Sequence, residues 1–363
     1  MGLFSPPEHK RERLHCPESR YCGFGVSAPT EISMARAHIL STGFYVPERV
    51  VTNNDLSKMF DTSDEWIRQR TGIERRRFAP DDVGCAELAY QASLRAIENA
   101  GIEAREIDCI LLATLSPDYH FPGSGCVLGH KLGLPGVPAI DIRAQCSGFI
   151  YSLAIADSFI RAGQYKRILL VGSEKHSTAL EFADRGRDVT VLFGDGAGAA
   201  ILAPTEEDRG ILSTHLHADG EFVESLWLEC PGSAHPRWVT QEMLDQGRTY
   251  PRMKGKVVFK NALEKLPPVI QEALARSRLK IEEIDLFIFH QANLRIIEYV
   301  AQQMGIPREK VYNNIQEYGN TTAASIPIAL HEAVERGLLK PGQHALLSSF
   351  GSGFTWASAL IRW

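Results

Sequence analysis

The chain has 363 residues, 39 Lys plus Arg against 44 Asp plus Glu, and a formal net charge of −5. With 44% hydrophobic and 23% charged residues it has the makeup of a folded enzyme rather than a disordered chain, and it lacks a whole-chain basic footprint for nucleic acid. Its longest apolar runs, Ile110–Leu115 and Leu286–Phe289 among them, are strand-sized and fall short of the roughly 18 residues of a membrane span. Seven cysteines, an odd number in no paired framework, fit a reducing cytoplasm.

Residues 1–33 differ from the rest. They carry Pro6, Pro7, Pro17 and Pro29, the basic run His9–Arg13, and little apolar periodicity. That composition predicts a disordered extension, and the lack of a continuous apolar core argues against a secretory signal. Cys16 and Cys22 have no second pair at zinc-like spacing. Met34 is a candidate start. From His38 the pattern alternates between strand-like runs (Ile107–Thr114, Arg167–Ser173, Gly198–Ala203, Ile284–His290, Ala345–Ser349) and amphipathic helical stretches such as Ala86–Ala100 and Phe259–Ala275. Alternation of this kind predicts an α/β layered fold with buried sheets.

An internal repeat is the stronger signal. Glu106–Leu112 is echoed by Glu283–Phe289, and Gly163–Leu170 resembles Gly342–Leu347. Ala113 and His290 are 177 residues apart, and Cys146 and Asn320 are 174 apart, so the period is near 175. Two related halves follow, 34–205 and 206–363. Cys146 lies where a strand ends and a helix begins, a position that gives a thiol thiolate character. His290 closes a strand, and Asn320 is expected to open the helix equivalent to that of Cys146. Matching element ends converge near the pseudo-axis of a duplicated fold, so the three can share one pocket. Cys109, Cys126 and Cys230 read as packing residues. The glycines of Phe193–Ala200 read as close strand packing, since no Lys-Ser/Thr follows. Those of Phe350–Trp356 suit a backbone N–H that meets a substrate carbonyl.

Six motifs in order carry a resemblance: Thr62–Ile67 with Arg70–Ile73, the Cys146 segment, Phe193–Ala199, His290–Arg295, Gly319–Thr321 and Gly353–Trp356. From about Met34 to Trp363 the chain resembles the thiolase-fold condensing enzymes, most closely the β-ketoacyl-acyl-carrier-protein synthase III family. The resemblance implies a duplicated α/β/α/β/α layered fold. It implies Cys146 as the nucleophile that accepts an acyl group from coenzyme A, and His290 and Asn320 as donors to the malonyl-acyl carrier protein thioester. The N–H groups of Cys146 and Gly353 would form the oxyanion hole of the acyl-cysteine. Trp66 and Arg185 would sandwich the adenine of coenzyme A, with Arg70 near the phosphates and Asn293 on the pantetheine arm. Arg295, Lys260 and Lys256 would dock the acidic carrier protein. Phe121 would reach the partner's acyl pocket in a homodimer. Acyl-CoA enters as substrate, with no permanently bound cofactor and no metal, and neither nucleic acid nor membrane is a partner.

Three departures qualify this reading. Gln302 and Gln303 stand where lysines are common, and His176 stands where an apolar acyl-pocket residue is common. The stretch before His290 is about a dozen residues longer than in short members, with the extra length in Glu221–Pro251. These point to a primer not confined to acetyl. The rival readings are a specialised same-fold enzyme of secondary-metabolite or signal biosynthesis, a papain-type Cys-His-Asn hydrolase, and a non-catalytic binding module.

Overall fold

The computed structural model describes residues 36–363; the extension 1–33 with Cys16 and Cys22, and Met34, lie outside the described residues. Two five-stranded sheets carry the architecture. The first runs, edge to edge, through Arg36–Tyr45, Gly196–Thr205, Ile168–Glu174, Cys109–Ala113 and Ala139–Ile142. The second runs through Gly210–Ala218, Thr355–Arg362, His344–Gly351, Leu286–Phe289 and Val311–Tyr312. In both, the first two pairings are antiparallel and the last two parallel. The duplication anticipated from sequence is thus present strand by strand.

Hydrophobic patterning explains the layering. Every residue of Ile168–Glu174 is buried, as expected of a strand covered on both faces. The helix Gly148–Arg161 buries Phe149, Ile150, Leu153, Ala156 and Ile160, an apolar face at helical spacing. It shares one core with Ile326, Ala329 and Leu330 of the helix Ser325–Glu335, with Leu111 and Leu170 from the first sheet and Ile288 and Leu347 from the second. Those two helices form the middle layer. Outside, the helix Cys85–Ala100 covers the first sheet, and Gly255–Ser277 with Leu294–Gln303 cover the second. The result is the expected α/β/α/β/α stack. Among the described residues no helix is long and apolar enough to cross a membrane.

The central helices start 177 residues apart (325 − 148). The same offset relates Gln145 to Thr322, non-glycine residues with φ of 45° and 48° that begin the single 3-10 turns before those helices. Cys146 therefore corresponds to Ala323. Asn320 lies three residues ahead of that position, which corrects the sequence-based pairing. The second helix has 11 residues against 14 in the first. That three-residue shortfall is why counting back from the terminal glycine aligned Asn320 with Cys146.

The two turns abut at the centre, and glycines make room for them. A Cβ on Gly172 would lie 2.2 Å from the Ala323 carbonyl oxygen, and one on Gly351 would lie 2.7 Å from the Cys146 Cβ. Gly198 faces Pro327 of the central helix at 2.7 Å in the same sense, as close strand packing requires. Gly172→Ala is expected to lose about 1–3 kcal/mol or more through overpacking. Gly129→Ala, in the helix Ser124–Lys131 with its nearest neighbour 3.4 Å away, should be neutral or gain up to about 1 kcal/mol. Urea denaturation of both variants checks the contrast.

Candidate active site

Cys146, His290 and Asn320 line one cavity of about 660 Å³. Cys146 sits in the turn Gln145–Ser147, buried at the head of the central helix. His290 follows the strand Leu286–Phe289, and its backbone N–H donates to the Ser348 carbonyl at 2.8 Å. Its Nδ1 meets Ser325 Oγ at 2.7 Å, and its Nε2 is buried without a partner. Asn320 is pinned by its N–H to the Leu192 carbonyl at 2.8 Å and by the Gly194 N–H to its own carbonyl at 3.1 Å. Its Oδ1 accepts the Thr322 N–H at 2.8 Å, so Nδ2 is the group left for the cavity.

Burial sets the electrostatics. Desolvation pushes the Cys146 thiol up to about 12, with the Glu174 carboxylate adding to the rise. Hydrogen bonds from the Ser352 N–H, its own N–H and the Thr322 side chain pull the other way. The thiolate character expected of a helix start is therefore outweighed in the free protein by loss of water. The backbone donor at the sulfur is Ser352 rather than the expected Gly353. Gly351 ends its strand packed on Cys146, so the next N–H along is the one that faces the sulfur. Burial also lowers His290 to about 3, which keeps its imidazole neutral.

Two family models match the chain, 3-oxoacyl-[acyl-carrier-protein (ACP)] synthase III over residues 140–220 and the C-terminal part of the same family over residues 274–363. The beta-ketoacyl-[acyl-carrier-protein] synthase III of Xanthomonas campestris pv. campestris is 47% identical over 329 residues, 90% of this chain and 98% of its own. That of Fusobacterium nucleatum subsp. nucleatum is 45% identical over 325 residues, with the same coverage of 90% and 98%. The crystal structure of 3-oxoacyl-[acyl-carrier-protein] synthase III from Aquifex aeolicus superposes with a TM-score of 0.83 at 44% identity, covering 90% of this chain and 100% of that one. The chain belongs to the beta-ketoacyl-[acyl-carrier-protein] synthase III family. It is an acyltransferase of the thiolase-fold condensing type, and the hydrolase and binding-module readings fall away.

Other expected positions of this synthase III chain scatter more widely. Trp66 and Arg70 line the cavity with Asn293, Arg295 and Lys256. The guanidiniums over the Trp66 ring are those of Arg70, at 4.4 Å from its centroid, and Arg187, at 4.8 Å. Arg185 instead pairs with Glu181 and donates to the Asp245 carbonyl at 3.3 Å. The amide of Asn293 is already engaged, accepting the Arg295 N–H at 2.9 Å and donating to the Arg70 carbonyl at 2.9 Å. Lys260 pairs with Glu264 at 3.7 Å. Gln302 and Gln303 are exposed at the end of their helix. Phe121 is 83% exposed. Neighbouring His120 meets the edge of Trp238 at 4.6 Å, so the tip of Glu221–Pro251 packs on that loop while Leu226, in the same segment, lines the cavity.

His176 is buried, and its Nε2 lies 2.6 Å from Thr322 Oγ1. The polar ring is thus satisfied, which answers the cost that burial would otherwise impose. Sequence reasoning missed Glu174, whose carboxyl accepts from Ser116 Oγ at 2.6 Å and from Thr114 Oγ1 at 3.2 Å. Burial pushes it up to about 7. A lone charge ending an otherwise apolar strand was its signal. Arg187, Thr322 and Ser325 carried none beyond the 177-residue offset. Glu229, Cys230 and His235 cluster within 4.8 Å, but the Arg248 guanidinium already occupies Glu229.

Buried histidines make stability depend on pH. His290 and His176 are lowered from 6.5 to about 3 by burial, so the unfolded chain takes up protons below pH 6.5 that the folded chain refuses. Their contribution is full above 6.5 and lost as pH falls towards 3. Glu174 opposes them singly, its contribution lost as pH rises from 4.5 to 7. Stability should therefore fall between pH 7 and pH 5. In His290→Gln that fall should shrink by about 2 kcal/mol, at about 1.4 kcal/mol per unit below 6.5. Urea denaturation at the two pH values measures it.

Proposed function

We propose that this chain catalyses the decarboxylative condensation of an acyl-CoA primer with malonyl-acyl carrier protein. The products are a 3-oxoacyl-acyl carrier protein, CoA and CO2, the initiating step of type II fatty-acid synthesis. Family membership supports the reaction class. The observation that carries the mechanism is one cavity holding a thiol beside two donors without partners, His290 Nε2 and Asn320 Nδ2. Cys146 attacks the primer thioester, and the tetrahedral oxyanion meets backbone N–H groups at the turn. The thiol proton leaves with the CoA sulfur.

Loss of CO2 from the malonyl thioester then gives an enolate whose oxygen meets the two donors. A Ser325 hydroxyl donating to Nδ1 leaves the proton on Nε2, so a neutral imidazole is the right tautomer for that task. The enolate carbon attacks the acyl-cysteine and regenerates the thiolate. Splitting the reaction in this way gives ping-pong kinetics. Trp66, Arg70 and Arg187 supply aromatic and cationic contacts for an adenine nucleotide at the mouth, and exposed Arg295 and Lys256 supply charge for an acidic carrier. The enzyme works without a bound cofactor, in the cytoplasm, as a homodimer to which Phe121 contributes.

Cys146→Ala should abolish acyl transfer and keep some malonyl decarboxylation. His290→Ala and Asn320→Ala should still acylate, as mass spectrometry with acyl-CoA would show, yet condense about 10²–10³ more slowly. Failure of both variants to acylate, with the fold intact, would make His290 the base for the thiol instead. The primer range should extend beyond acetyl, because Glu221–Pro251 adds Leu226 to the cavity wall. Competition among acetyl-, butyryl-, isobutyryl- and octanoyl-CoA tests this, and strict acetyl selection overturns it.

A further inference from the structure

His176 belongs to none of the roles assigned above, yet it is the polar ring nearest the nucleophile's turn. It follows the strand Ile168–Glu174, is 6% exposed, and lies tilted on Phe193 with centroids 4.5 Å apart. Phe193 lines the cavity and is joined by a bridge to Asn320, so the imidazole is held from one side by the site itself. On its other side, Nε2 lies 2.6 Å from Thr322 Oγ1. The Thr322 hydroxyl in turn faces the Cys146 sulfur. Thr322 has φ of 48°, and its N–H fixes the Asn320 amide. The turn has no freedom to move that hydroxyl elsewhere.

We propose that His176 is a positioning residue that acts through Thr322 on Cys146. Its Nε2–H donates to Thr322 Oγ1, which leaves the threonine hydroxyl proton to donate to the sulfur. The chain Nε2–H to Oγ–H to sulfur places a third donor at the nucleophile beside the Ser352 and Cys146 N–H groups. A hydroxyl alone rotates and donates to whichever acceptor is nearest; a donor behind it removes that choice. No proton transfer is required, and the imidazole stays neutral, as its burial dictates. The role deepens the proposed function, since it concerns the thiol that carries the acyl group.

The measurement is the pH profile of Cys146 alkylation by iodoacetamide in the full chain, which reads the thiol without any substrate. The other titratable groups bearing on this chain are Glu174, which acts on Cys146, and His290, which acts on His176; both stay unchanged in every variant. His176→Leu should move the alkylation midpoint up by about one pH unit and slow acylation about tenfold. Malonyl decarboxylation at His290 and Asn320 should be spared. His176→Gln, which restores an N–H donor, should recover most of the shift. Thr322→Val should reproduce His176→Leu, and the double variant should be no worse than Thr322→Val alone. An unchanged midpoint in a folded His176→Leu, or shifts that add in the double variant, would overturn the proposal. A protein that alkylates as expected but never loads an acyl group would overturn the proposed function and leave this chain of donors standing.

Discussion

Everything in the site depends on two tight turns meeting at the centre of a duplicated fold. Each enters a buried helix through a non-glycine residue with positive φ, Gln145 in one half and Thr322 in the other. Such residues cost of order 1–3 kcal/mol each and persist only where surrounding packing fixes them. Here the fixing is steric. Gly172 takes the Ala323 carbonyl against its backbone, and Gly351 takes the backbone of Cys146. Remove either void and the turns separate; with them separated, thiol, imidazole and carboxamide no longer share a cavity.

That close approach also decides the charges. A thiol, a carboxyl and two imidazoles are packed into one interior, and desolvation drives every one of them towards its neutral form. For His290 neutrality is useful, because a neutral ring with a protonated Nε2 donates to a developing enolate without needing a counter-ion. For Cys146 it is a cost, which explains why backbone and hydroxyl donors crowd its sulfur. The site stabilises charge when charge forms and holds little of it beforehand.

Much of this was legible in the sequence because duplication leaves paired landmarks. The strand echo at Glu106 and Glu283 located both sheets, and the placement of Cys146 and His290 at element ends followed. What sequence could not resolve was register at single-residue scale. A helix shorter by three residues made Asn320 look like the counterpart of Cys146, although it still reached the cavity from just upstream. Among the glycines of Phe350–Gly353, only the packing of Gly351 on Cys146 selects Ser352 as the donor. Arg185 and Arg187 are two residues apart and chemically identical, and the Glu181 pairing that diverts Arg185 from Trp66 is a tertiary fact. Thr322 was invisible for a similar reason. Its importance lies in φ and in what lies 2.6 Å away.

The same offset explains why a fold with two equivalent halves has its nucleophile in one of them. Carrying 177 residues back from His290 gives Ala113, and from Ser325 gives Gly148. In the second half the pair is a histidine held by a serine hydroxyl at 2.7 Å. In the first half it is a methyl against a glycine so close that a Cβ on Gly148 would sit 2.8 Å from that of Ala113. An imidazole has no room there. Ala323 likewise stands where the first half has Cys146, and the Gly172 backbone packs on it as Gly351 packs on the thiol. One half has spent its central space on contact between helix and strand, and the other on a pocket. The asymmetry lets the first half present the thiol and the second half the imidazole and carboxamide, so that a site with two tasks needs only one cavity.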